Sequence, residues 1–479
     1  MTTIAPGAAA VHETTPADLE HILTAAASAA GPWAATTPAG RAIALAAIAS
    51  SLEEHADELV ELAVAETHLT EGRLRGEVVR TAFQLRLLGD FVASGSHLDV
   101  TIDPALPGWP PAPRPDLRRT AVPIGPVLVF AASNFPFAFS VVGGDTASAL
   151  AAGCPVIVKA NPGHPTLSRR TAELTTAALE AAGAPAGVFA MIEGRDAGTA
   201  ALVDPRVRAG AFTGSTAGGR ALFDLAVSRA VPIPFYAEMG SINPIFVTAT
   251  AATDRPEELM DEFVASFTLG SGQFCTKPGF LVVPAESRLT ELARGRAFPS
   301  AQPLLNDHIL AGYRGAVTSV AELDAVETVV RDGGWLDPSP TPTLFELAAE
   351  DFLRAPGDYL VECFGPAAVM CTYRDDDELL AVADAFDGQL TAGIHGTLGD
   401  PVLQRLVPLL ADRAGRLLWN GWPTGVAVTA AQQHGGPYPA TTVPGSTSVG
   451  TAAVLRFLRP VAYQDFPKVL LPPELRTGG

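Results

Sequence analysis

The chain has 479 residues, of which 48% are hydrophobic and 17% are charged. That length and apolar content predict two or more folded domains with large buried cores, and they exclude a disordered chain. With 32 basic and 51 acidic residues, the net charge is -19. An acidic surface repels phosphate backbones and anionic lipids, so neither nucleic acid nor a membrane is an expected partner.

The sequence also bears on compartment and on cysteine chemistry. Residues 1–30 contain no Lys or Arg, unlike a signal peptide, and no apolar run reaches the roughly 18 residues of a membrane-spanning helix. The cysteines have no metal-type spacing; they are Cys154, Cys275, Cys363 and Cys371. We therefore expect a cytoplasmic protein whose cysteines are thiols, without a disulfide framework or a metal site.

The first 100 residues predict helices. Thr37-Pro38 is typical of a helix start, with Thr37 as the cap and proline at the first helical position. A single helical face is indicated by residues that recur at spacings of three and four, namely Ile48, Leu52, His55, Leu59 and Leu62. Another helix is predicted over 71–91. The proline-rich stretch 104–115 predicts a linker or covering loop.

From Arg118 onwards, short apolar runs alternate with alanine-rich helical segments. Strands are predicted at 127–130, 155–158, 188–192, 209–213 and 233–237. Helices are predicted between them at 141–152, 166–182, 197–201 and 216–226. Continuous apolar strands separated by helices predict a doubly wound α/β domain with a parallel sheet, which binds ligands at the carboxyl ends of its strands. The G-x-G-x-x-G dinucleotide fingerprint is absent from the sequence.

A second α/β region is predicted after Cys275. It comprises a strand at 280–283, helices near Leu289 and Val317, an apolar patch at 364–370 and a helix at 379–386. The tail 454–463 predicts an edge strand.

Cys275 is the candidate nucleophile. It ends the segment 270–275 (GSGQFC), whose small residues allow a substrate and a cofactor to approach the sulfur closely. A thiolate attacks carbonyl carbon readily. The alternative is a buried structural cysteine, which is our interpretation of Cys154, Cys363 and Cys371.

Two polar residues are placed to assist such a nucleophile. Glu238 ends an apolar strand, where ligands bind, and partial desolvation would raise its pKa and make it a base near neutral pH. Asn134 follows the strand 127–130, and its amide is suited to donate to a developing oxyanion. The alternatives are a salt-bridged or helix-capping acid for Glu238 and a turn residue for Asn134.

Further residues are typical of a cofactor site. Lys159 ends the strand after 127–130, where its ammonium can reach ribose or phosphate oxygens. Thr213, Gly214 and Ser215 run from a strand into a helix and suit a helix N-terminus that meets a phosphate. Each pattern is also common in proteins that bind no cofactor.

The order and spacing of these motifs resemble the aldehyde dehydrogenase superfamily over nearly the whole chain. The matching segments are SNFPF (133–137), VIVKANPGHP (156–165), FTGST (212–216), AEMGSINPIF (237–246), GQFC (272–275), ECFGP (362–366) and WNGWPTGV (419–426). The resemblance implies that fold: a Rossmann-like cofactor domain, an α/β catalytic domain and a small β oligomerisation extension. The implied boundaries are 1–115 with 124–247, then 248–447, and 116–123 with 448–479.

The resemblance also implies roles for these residues. Cys275 attacks the aldehyde, Asn134 and the Cys275 N–H hold the oxyanion, and Glu238 activates the water that hydrolyses the thioester. Lys159 and Glu362 bind ribose hydroxyls, Phe364 packs near the nicotinamide and Ser215 lies by the pyrophosphate. The full set of candidate cofactor residues is Lys159, Ser133, Pro162, Arg195, Thr213, Gly214, Ser215, Glu362 and Phe364.

Within the superfamily the chain is most similar to α-ketoglutaric semialdehyde (2,5-dioxovalerate) dehydrogenases. This similarity rests on AEMGSINP, on GGPYPATT (435–442) and on the tail 448–475. It implies oxidation of 2,5-dioxopentanoate to 2-oxoglutarate, with another semialdehyde or an aliphatic aldehyde as the alternative.

The cofactor preference rests on two positions. NAD-specific members usually carry an acid three residues after the strand-end lysine, where this chain has Pro162. Without that carboxylate a 2′-phosphate is not repelled, and Arg195 is the candidate to bind it. We therefore expect NADP to be preferred, with NAD accepted. The alternative for Arg195 is a solvated surface residue.

The resemblance further implies a homodimer or homotetramer, in which 118–123 and 454–463 form the intersubunit sheet. Two other classes of function remain as alternatives. One is a non-catalytic protein with this fold, which the presence of Cys275, Glu238, Asn134 and Lys159 disfavours. The other is an esterase or thioesterase that uses Cys275 without redox chemistry, which the cofactor motifs disfavour.

Overall fold

The computed structural model describes residues 13–300, 302–329 and 334–476. The outermost parts of the implied domains, 1–12 and 477–479, lie outside the described residues. The α-helices, numbered in chain order, are α1 (Pro16–Ala35), α2 (Pro38–Glu54), α3 (Ala56–Thr67), α4 (Glu71–Ala93), α5 (Gly144–Ala152), α6 (Pro165–Ala181), α7 (Arg195–Val203), α8 (Thr216–Val227), α9 (Ala249–Asp254), α10 (Pro256–Thr268), α11 (Leu289–Gly295), α12 (Asp307–Ala321), α13 (Ala349–Arg354), α14 (Pro356–Tyr359), α15 (Asp376–Asp384) and α16 (Leu403–Arg413).

Within these described residues the strands form three sheets. In chain order they are β1 (Thr101–Asp103), β2 (Leu117–Pro123), β3 (Val127–Phe130), β4 (Val156–Lys159), β5 (Phe189–Ile192), β6 (Ala209–Thr213), β7 (Phe235–Glu238), β8 (Pro244–Val247), β9 (Phe280–Pro284), β10 (Glu327–Thr328), β11 (Thr343–Ala348), β12 (Ala367–Tyr373), β13 (Gln389–His395), β14 (Ala414–Trp419) and β15 (Leu458–Gln464). Short 3-10 helices lie at Ser96–Leu98, Leu269–Gly272, Gly334–Leu336, Thr451–Phe457, Lys468–Leu470 and Pro473–Leu475.

The first sheet is five-stranded and parallel, with the order β5-β4-β3-β6-β7. Every residue of β3 is buried, because helices cover both faces, and each such side chain contributes roughly 1.5–3 kcal/mol. The parallel register pairs Phe130 with Lys159 and Thr213 with Glu238 at the carboxyl ends. The predicted strands and intervening helices are confirmed, with bounds that shift by a few residues.

The N-terminal helices pack beside this sheet. Thr37 caps α2 and accepts a hydrogen bond from the Gly40 N–H, which confirms the predicted helix start. The single helical face predicted over 48–62 is wrong, because α2 ends and α3 begins on either side of His55. Its apolar residues still share one core cluster, since both helices turn the same side inward. The predicted helix at 71–91 is α4.

The second sheet is seven-stranded, with the order β10-β11-β12-β9-β8-β13-β14. All neighbours are parallel except β10 and β11. The strand predicted at 280–283 is β9, and the apolar patch at 364–370 overlaps β12. β8 belongs to this sheet, so strand membership changes within 239–243 rather than at the implied boundary of 247.

The third sheet is small and antiparallel, with the order β1-β2-β15. β2 pairs with β15 along seven residues, from Leu117 with Gln464 to Pro123 with Leu458. The two segments expected in an intersubunit sheet are therefore joined within one chain. The edge strand expected at 454–463 begins only at Leu458, because 451–457 forms a 3-10 helix.

The proline-rich stretch 104–115 contains no helix or strand, as predicted, and one isolated bridge joins Leu106 to Arg114. Among the described residues, no helix combines the length and apolar character needed to cross a membrane.

Candidate active site

Cys275 follows an unusual turn of the backbone. Gly270, Ser271 and Gly272 all have positive φ angles, of 55°, 56° and 68°. A Cβ on Gly272 would lie 2.1 Å from the Gly365 carbonyl oxygen, so only glycine fits there. The tight turn leaves Cys275 half-buried rather than sealed in the core.

A buried amide fixes the backbone on the other side of the cysteine. The Asn243 Nδ2 donates to the carbonyls of Cys275 at 2.8 Å and Lys277 at 2.9 Å. Asn243 itself has a φ of 54°, and the Gln389 Oε1 accepts from its N–H at 3.0 Å. β13 thus positions Asn243, which in turn positions the segment that carries the sulfur.

His434 lies between the cysteine and the glutamate. Its Nε2 is 3.4 Å from the Cys275 Sγ and 2.9 Å from the Glu238 Oε1. The contact with Glu238 is an ion-pair distance whose angles do not meet those of a hydrogen bond. Ser448 donates its hydroxyl to the other carboxylate oxygen at 2.5 Å. The four side chains form one polar cluster at the carboxyl end of β7.

This cluster sets the charge state of the carboxylate. Burial acts to raise the pKa of Glu238, but the charge of His434 and the hydrogen bond from Ser448 outweigh it and hold the pKa below its usual value. The expectation that desolvation raises the pKa of Glu238 is therefore wrong in its net direction. It omitted His434, which lies almost 200 residues further along the chain.

The pKa of the Cys275 thiol shifts in the opposite direction to that of Glu238. Loss of hydration around the sulfur raises the pKa of Cys275 well above its usual value, and the negative charge of Glu238 raises it further. Arg416 acts against both effects. At rest the sulfur is therefore a thiol beside a carboxylate, so its proton must move before the sulfur can attack.

Asn134 is held beside the cysteine segment by α4. Its Nδ2 donates to the Gln273 carbonyl at 3.2 Å. From α4, the Arg73 Nη2 donates to the Asn134 carbonyl at 2.7 Å, and the Glu77 Oε1 accepts the N–H groups of Phe137 and Ala138 at 2.8 and 2.9 Å. One helix therefore fixes both ends of the turn that carries the amide.

A cavity of about 440 Å³ joins these residues to most of the cofactor candidates. Its lining includes all three catalytic candidates together with Lys159, Ser133, Thr213, Gly214, Ser215, Glu362 and Phe364. The buried Thr213 hydroxyl has no hydrogen-bond partner among the described residues. Ser215 caps α8 with its side chain, so the helix N-terminus faces this space. A polar, elongated group such as a dinucleotide fits this lining.

A second cavity, of about 280 Å³, shares Lys159 and Asn161 with the first and contains Pro162 and Arg195. The two cavities thus meet at Lys159, and together they run from Cys275 to α7. Glu13 also lines the second cavity, and its carboxylate accepts from the N–H groups of Asp196 and Ala197 at 3.2 and 3.3 Å.

Glu362 is the other acid in the first cavity. Burial raises its pKa to about 7, against the opposing charge of Lys277. Its carboxyl group packs against Gly240, where a Cβ would lie 2.3 Å from an oxygen. Near neutral pH this carboxyl therefore exchanges between its acid and its anion.

Residues 6–333 match the model of the aldehyde dehydrogenase family. The chain belongs to this family. It is 46% identical over 470 residues to "Alpha-ketoglutaric semialdehyde dehydrogenase 2" of Azospirillum brasilense, covering 96% of this chain and 89% of that protein. It is 42% identical to the "Alpha-ketoglutaric semialdehyde dehydrogenase" of Acinetobacter baylyi, covering 92% and 85%.

The fold agrees with that membership. The structure of a Thermus 1-pyrroline-5-carboxylate dehydrogenase with bound NAD superposes with a TM-score of 0.79 at 21% identity, covering 94% of this chain and 86% of that one. The chain is therefore an oxidoreductase that oxidises a small aldehyde to a carboxylic acid with NAD(P).

His434, Glu13 and Asn243 were not predicted from the sequence as residues of the site. His434 stands immediately before GGPYPATT, the segment used to assign the subgroup. No spacing relates it to Cys275, because the chain folds back over about 160 residues to bring them together. Asn243 lies inside AEMGSINPIF, and its positive φ was the property that a sequence could not show.

Proposed function

We propose that the enzyme oxidises 2,5-dioxopentanoate to 2-oxoglutarate. Its two relatives with 46% and 42% identity are named for the semialdehyde of that acid, and each similarity spans most of both chains. The observation that carries the chemistry is that Cys275, Glu238 and Asn134 line one cavity with the cofactor candidates. Oxidation of another semialdehyde or of an aliphatic aldehyde is the alternative.

The first step of the proposed mechanism is attack by the Cys275 sulfur on the aldehyde carbon. In its neutral form His434 accepts the thiol proton, because its Nε2 lies 3.4 Å from the sulfur. The imidazolium that forms is stabilised by the Glu238 carboxylate 2.9 Å away. His434 thus makes it easier to form the Cys275 thiolate, although burial raises the pKa of the thiol.

The attack gives a thiohemiacetal on Cys275 whose oxygen carries negative charge. The Asn134 Nδ2 donates to this oxygen, together with the backbone N–H of Cys275, and each such donor lowers the barrier by about 3 kcal/mol. The turn held by Arg73 and Glu77 keeps the amide in place before the substrate arrives.

When bound, NAD(P) supplies the acceptor for the hydride that leaves the substrate carbon. Lys159 and Glu362 would hold it by its ribose hydroxyls, Ser215 would lie by the pyrophosphate and Phe364 beside the nicotinamide. The thioester then left on Cys275 is hydrolysed by water from which Glu238 removes a proton. A lowered pKa keeps Glu238 as a carboxylate for this role at neutral pH.

We further propose that NADP is the preferred cofactor, with NAD accepted. Pro162 puts no carboxylate in the second cavity, and Arg195 lines it with a guanidinium that suits a 2′-phosphate. The Glu13 carboxylate lies at the N-terminus of α7, beside Arg195, and its negative charge would disfavour a 2′-phosphate there. Turnover and binding measured with both cofactors test this preference: strict dependence on NAD would contradict it.

The donor atoms of Glu238, Cys275 and His434 lie within 4.8 Å of one another, a set that can hold zinc. We assign these atoms to the reaction, because a sulfur bound to zinc could not attack an aldehyde. Dialysis against a chelator should leave activity unchanged; loss that zinc restores would contradict the assignment.

A panel of aldehydes tested with both cofactors examines the proposal. The wild type should reduce NADP with 2,5-dioxopentanoate at the highest kcat/KM, and Cys275→Ala should lose oxidation while it still binds cofactor. Equal kcat/KM for aliphatic aldehydes would favour the alternative substrate class. Ester hydrolysis without cofactor reduction would favour an esterase, and absence of both activities a non-catalytic protein.

A further inference from the structure

Arg80 and Arg416 are among the half-buried arginines that lack an acidic partner in the described part of the chain. Arg80 on α4 and Arg416 on β14 form no ion pair with any carboxylate of the described residues. The Arg80 Nη1 and the Arg416 Nε are buried and have no hydrogen-bond partner there either. Removing a cation from water without a counter-charge is costly, so a ligand that supplies negative charge would be bound favourably there.

Both guanidinium groups converge on one loop, 423–426. The Arg416 Nη1 and Nη2 donate to the carbonyls of Gly425 at 3.0 Å and Pro423 at 2.6 Å. From the facing helix, the Arg80 Nη2 reaches the Val426 carbonyl at 3.4 Å. The loop is neutral, so it orients the two cations without cancelling their charge.

The pair lies close to the nucleophile. The Arg80 guanidinium lies over the Phe139 ring, 5.3 Å from its centre. The Phe139 ring is 6.1 Å from the His434 ring, and His434 contacts Cys275. Both arginines interact electrostatically with Cys275.

The other charges around this place do not neutralise the pair. Glu77 lies one turn before Arg80 on α4, but its Oε1 already accepts hydrogen bonds from two backbone N–H groups. Burial also raises the pKa of its carboxyl group, which weakens its negative charge. Glu238 is bound to His434 and Ser448. Neither arginine is among the described residues that line the 440 Å³ cavity with the cofactor candidates.

We propose that Arg80 and Arg416 bind the carboxylate at the far end of the aldehyde substrate, so that the substrate class is a short oxo acid with a terminal aldehyde. This inference rests on the proposed function, because it assigns the substrate end of the same site. The guanidinium nitrogens donate to the carboxylate oxygens, and the aldehyde end of the molecule then reaches the Cys275 sulfur.

The test compares one anionic and one neutral aldehyde of equal length, succinic semialdehyde and butanal, in Arg80→Gln. Arg80 has a single long hydrogen bond to the protein, so its loss should spare the fold. The ratio of kcat/KM for the anionic over the neutral aldehyde should fall by about 10- to 100-fold, the effect of a lost charge-assisted hydrogen bond. Most of the change should appear in KM for the anionic aldehyde.

The matched control is Arg75→Gln on the same helix, where the arginine is exposed and pairs with Asp57 and Glu71. Its ratio should stay at the wild-type value. Arg416→Lys keeps the positive charge but loses the paired N–H donors of the guanidinium. It should lower the anionic-to-neutral ratio of kcat/KM less than Arg80→Gln does. Binding of glutarate, measured by calorimetry without turnover, should weaken in Arg80→Gln and not in Arg75→Gln.

The outcomes separate this inference from the proposed function. A wild type that oxidises neither of these aldehydes nor 2,5-dioxopentanoate would overturn the proposed function. A wild type that oxidises both, with an anionic-to-neutral ratio that Arg80→Gln leaves unchanged, would overturn the arginine assignment alone. Unchanged glutarate binding in Arg80→Gln would overturn it as well.

Discussion

The imidazole of His434 couples the two halves of the proposed reaction. Its Nε2 contacts the sulfur that attacks and the carboxylate that later activates water. The contact with His434 helps to lower the pKa of Glu238 against its burial, whereas burial and the charge of Glu238 raise the pKa of Cys275. A nucleophile and a base with pKa values moved apart can act in sequence within one site.

The first prediction concerns pH. Because the pKa of the Cys275 thiol is raised well above its usual value, the thiolate fraction is small at neutral pH and grows about tenfold per pH unit. Glu238, with its lowered pKa, stays ionised throughout. We expect kcat/KM to rise continuously from pH 6 to pH 9 in a pH-rate profile. A maximum near pH 6 would contradict the thiol state described here.

The second prediction concerns cofactor choice. Glu13→Gln removes a negative charge from the α7 N-terminus that a 2′-phosphate would approach. We expect the Kd for NADP to fall about fivefold relative to that for NAD, the size of a solvated like-charge contact. Fluorescence titration measures both constants. Glu20→Gln, an equal charge change on α1, is the control, and equal shifts for both cofactors would contradict the prediction.

At the residue scale, the sequence predicted which residues form the site better than it predicted their charge states. Cys275, Glu238, Asn134 and Lys159 could be placed because the ordered motifs around them resemble the aldehyde dehydrogenase superfamily, and because each lies at the end of a strand, just after one, or after a glycine turn. The direction of the Glu238 pKa could not, because it depends on His434, which only the tertiary fold brings near. Arg80 and Arg416 lie on a helix and a strand with ordinary patterns, so their shared loop was not visible either.

At the scale of elements, side chains of α4 hold the backbone turn that carries Asn134. Its Glu77 accepts two backbone N–H groups of the turn that carries Asn134, and its Arg73 donates to that turn. The same helix supplies Arg80. Its apolar face packs against α2 within the core cluster. The oxyanion donor and the proposed substrate anchor are thus fixed to one rigid element.

The third prediction follows from that support. Glu77→Ala should lower the free energy of unfolding by about 2–4 kcal/mol, because two buried N–H groups lose their acceptor. It should also lower kcat, because Asn134 shifts. Urea unfolding and steady-state kinetics measure the two effects.

Glu66 offers a matched comparison. It accepts the N–H groups of Thr166 and Leu167 at 2.9 Å each, but from α6 rather than from the site. Glu66→Ala should lower stability while kcat of the folded enzyme stays unchanged. If both variants lose kcat equally, the positioning role of Glu77 is wrong.

Elements were predictable where hydrophobic pattern and length agreed. The five parallel strands are short, apolar and bounded by glycine or proline, and all five were predicted. The prediction of one helical face over 48–62 failed because the apolar spacing continues through His55, although one helix ends there and another begins. The strands β8, β10, β11, β13 and β14 were missed, since their sheet is completed by residues far apart in sequence.

At the scale of the whole molecule, the small antiparallel sheet has an open edge. β15 pairs with β2 on one side and with no strand of the described residues on the other, and four of its seven residues are exposed. An uncovered edge strand invites pairing with another chain. We therefore propose, as the resemblance implied, that a second copy of the chain covers it in a homodimer or homotetramer.

The fourth prediction tests that assembly. Light scattering coupled to size exclusion should give a mass of two or four times 49.6 kDa. Because β15 is an edge strand, Ala462→Pro should shift the mass toward one chain. A wild type that elutes as a single chain would contradict the oligomer. Circular dichroism of the variant shows whether the fold persists.

The central claim is that the acyl group of the substrate is held covalently by Cys275. Glu238→Gln should stop the thioester from being hydrolysed, since no base activates the water. Intact-mass spectrometry and peptide mapping of this variant, mixed with NADP and succinic semialdehyde, should show one succinyl group on the peptide that contains Cys275, and none in Cys275→Ser. Turnover of the aldehyde by Cys275→Ser, or an acyl group on a different residue, would contradict the mechanism.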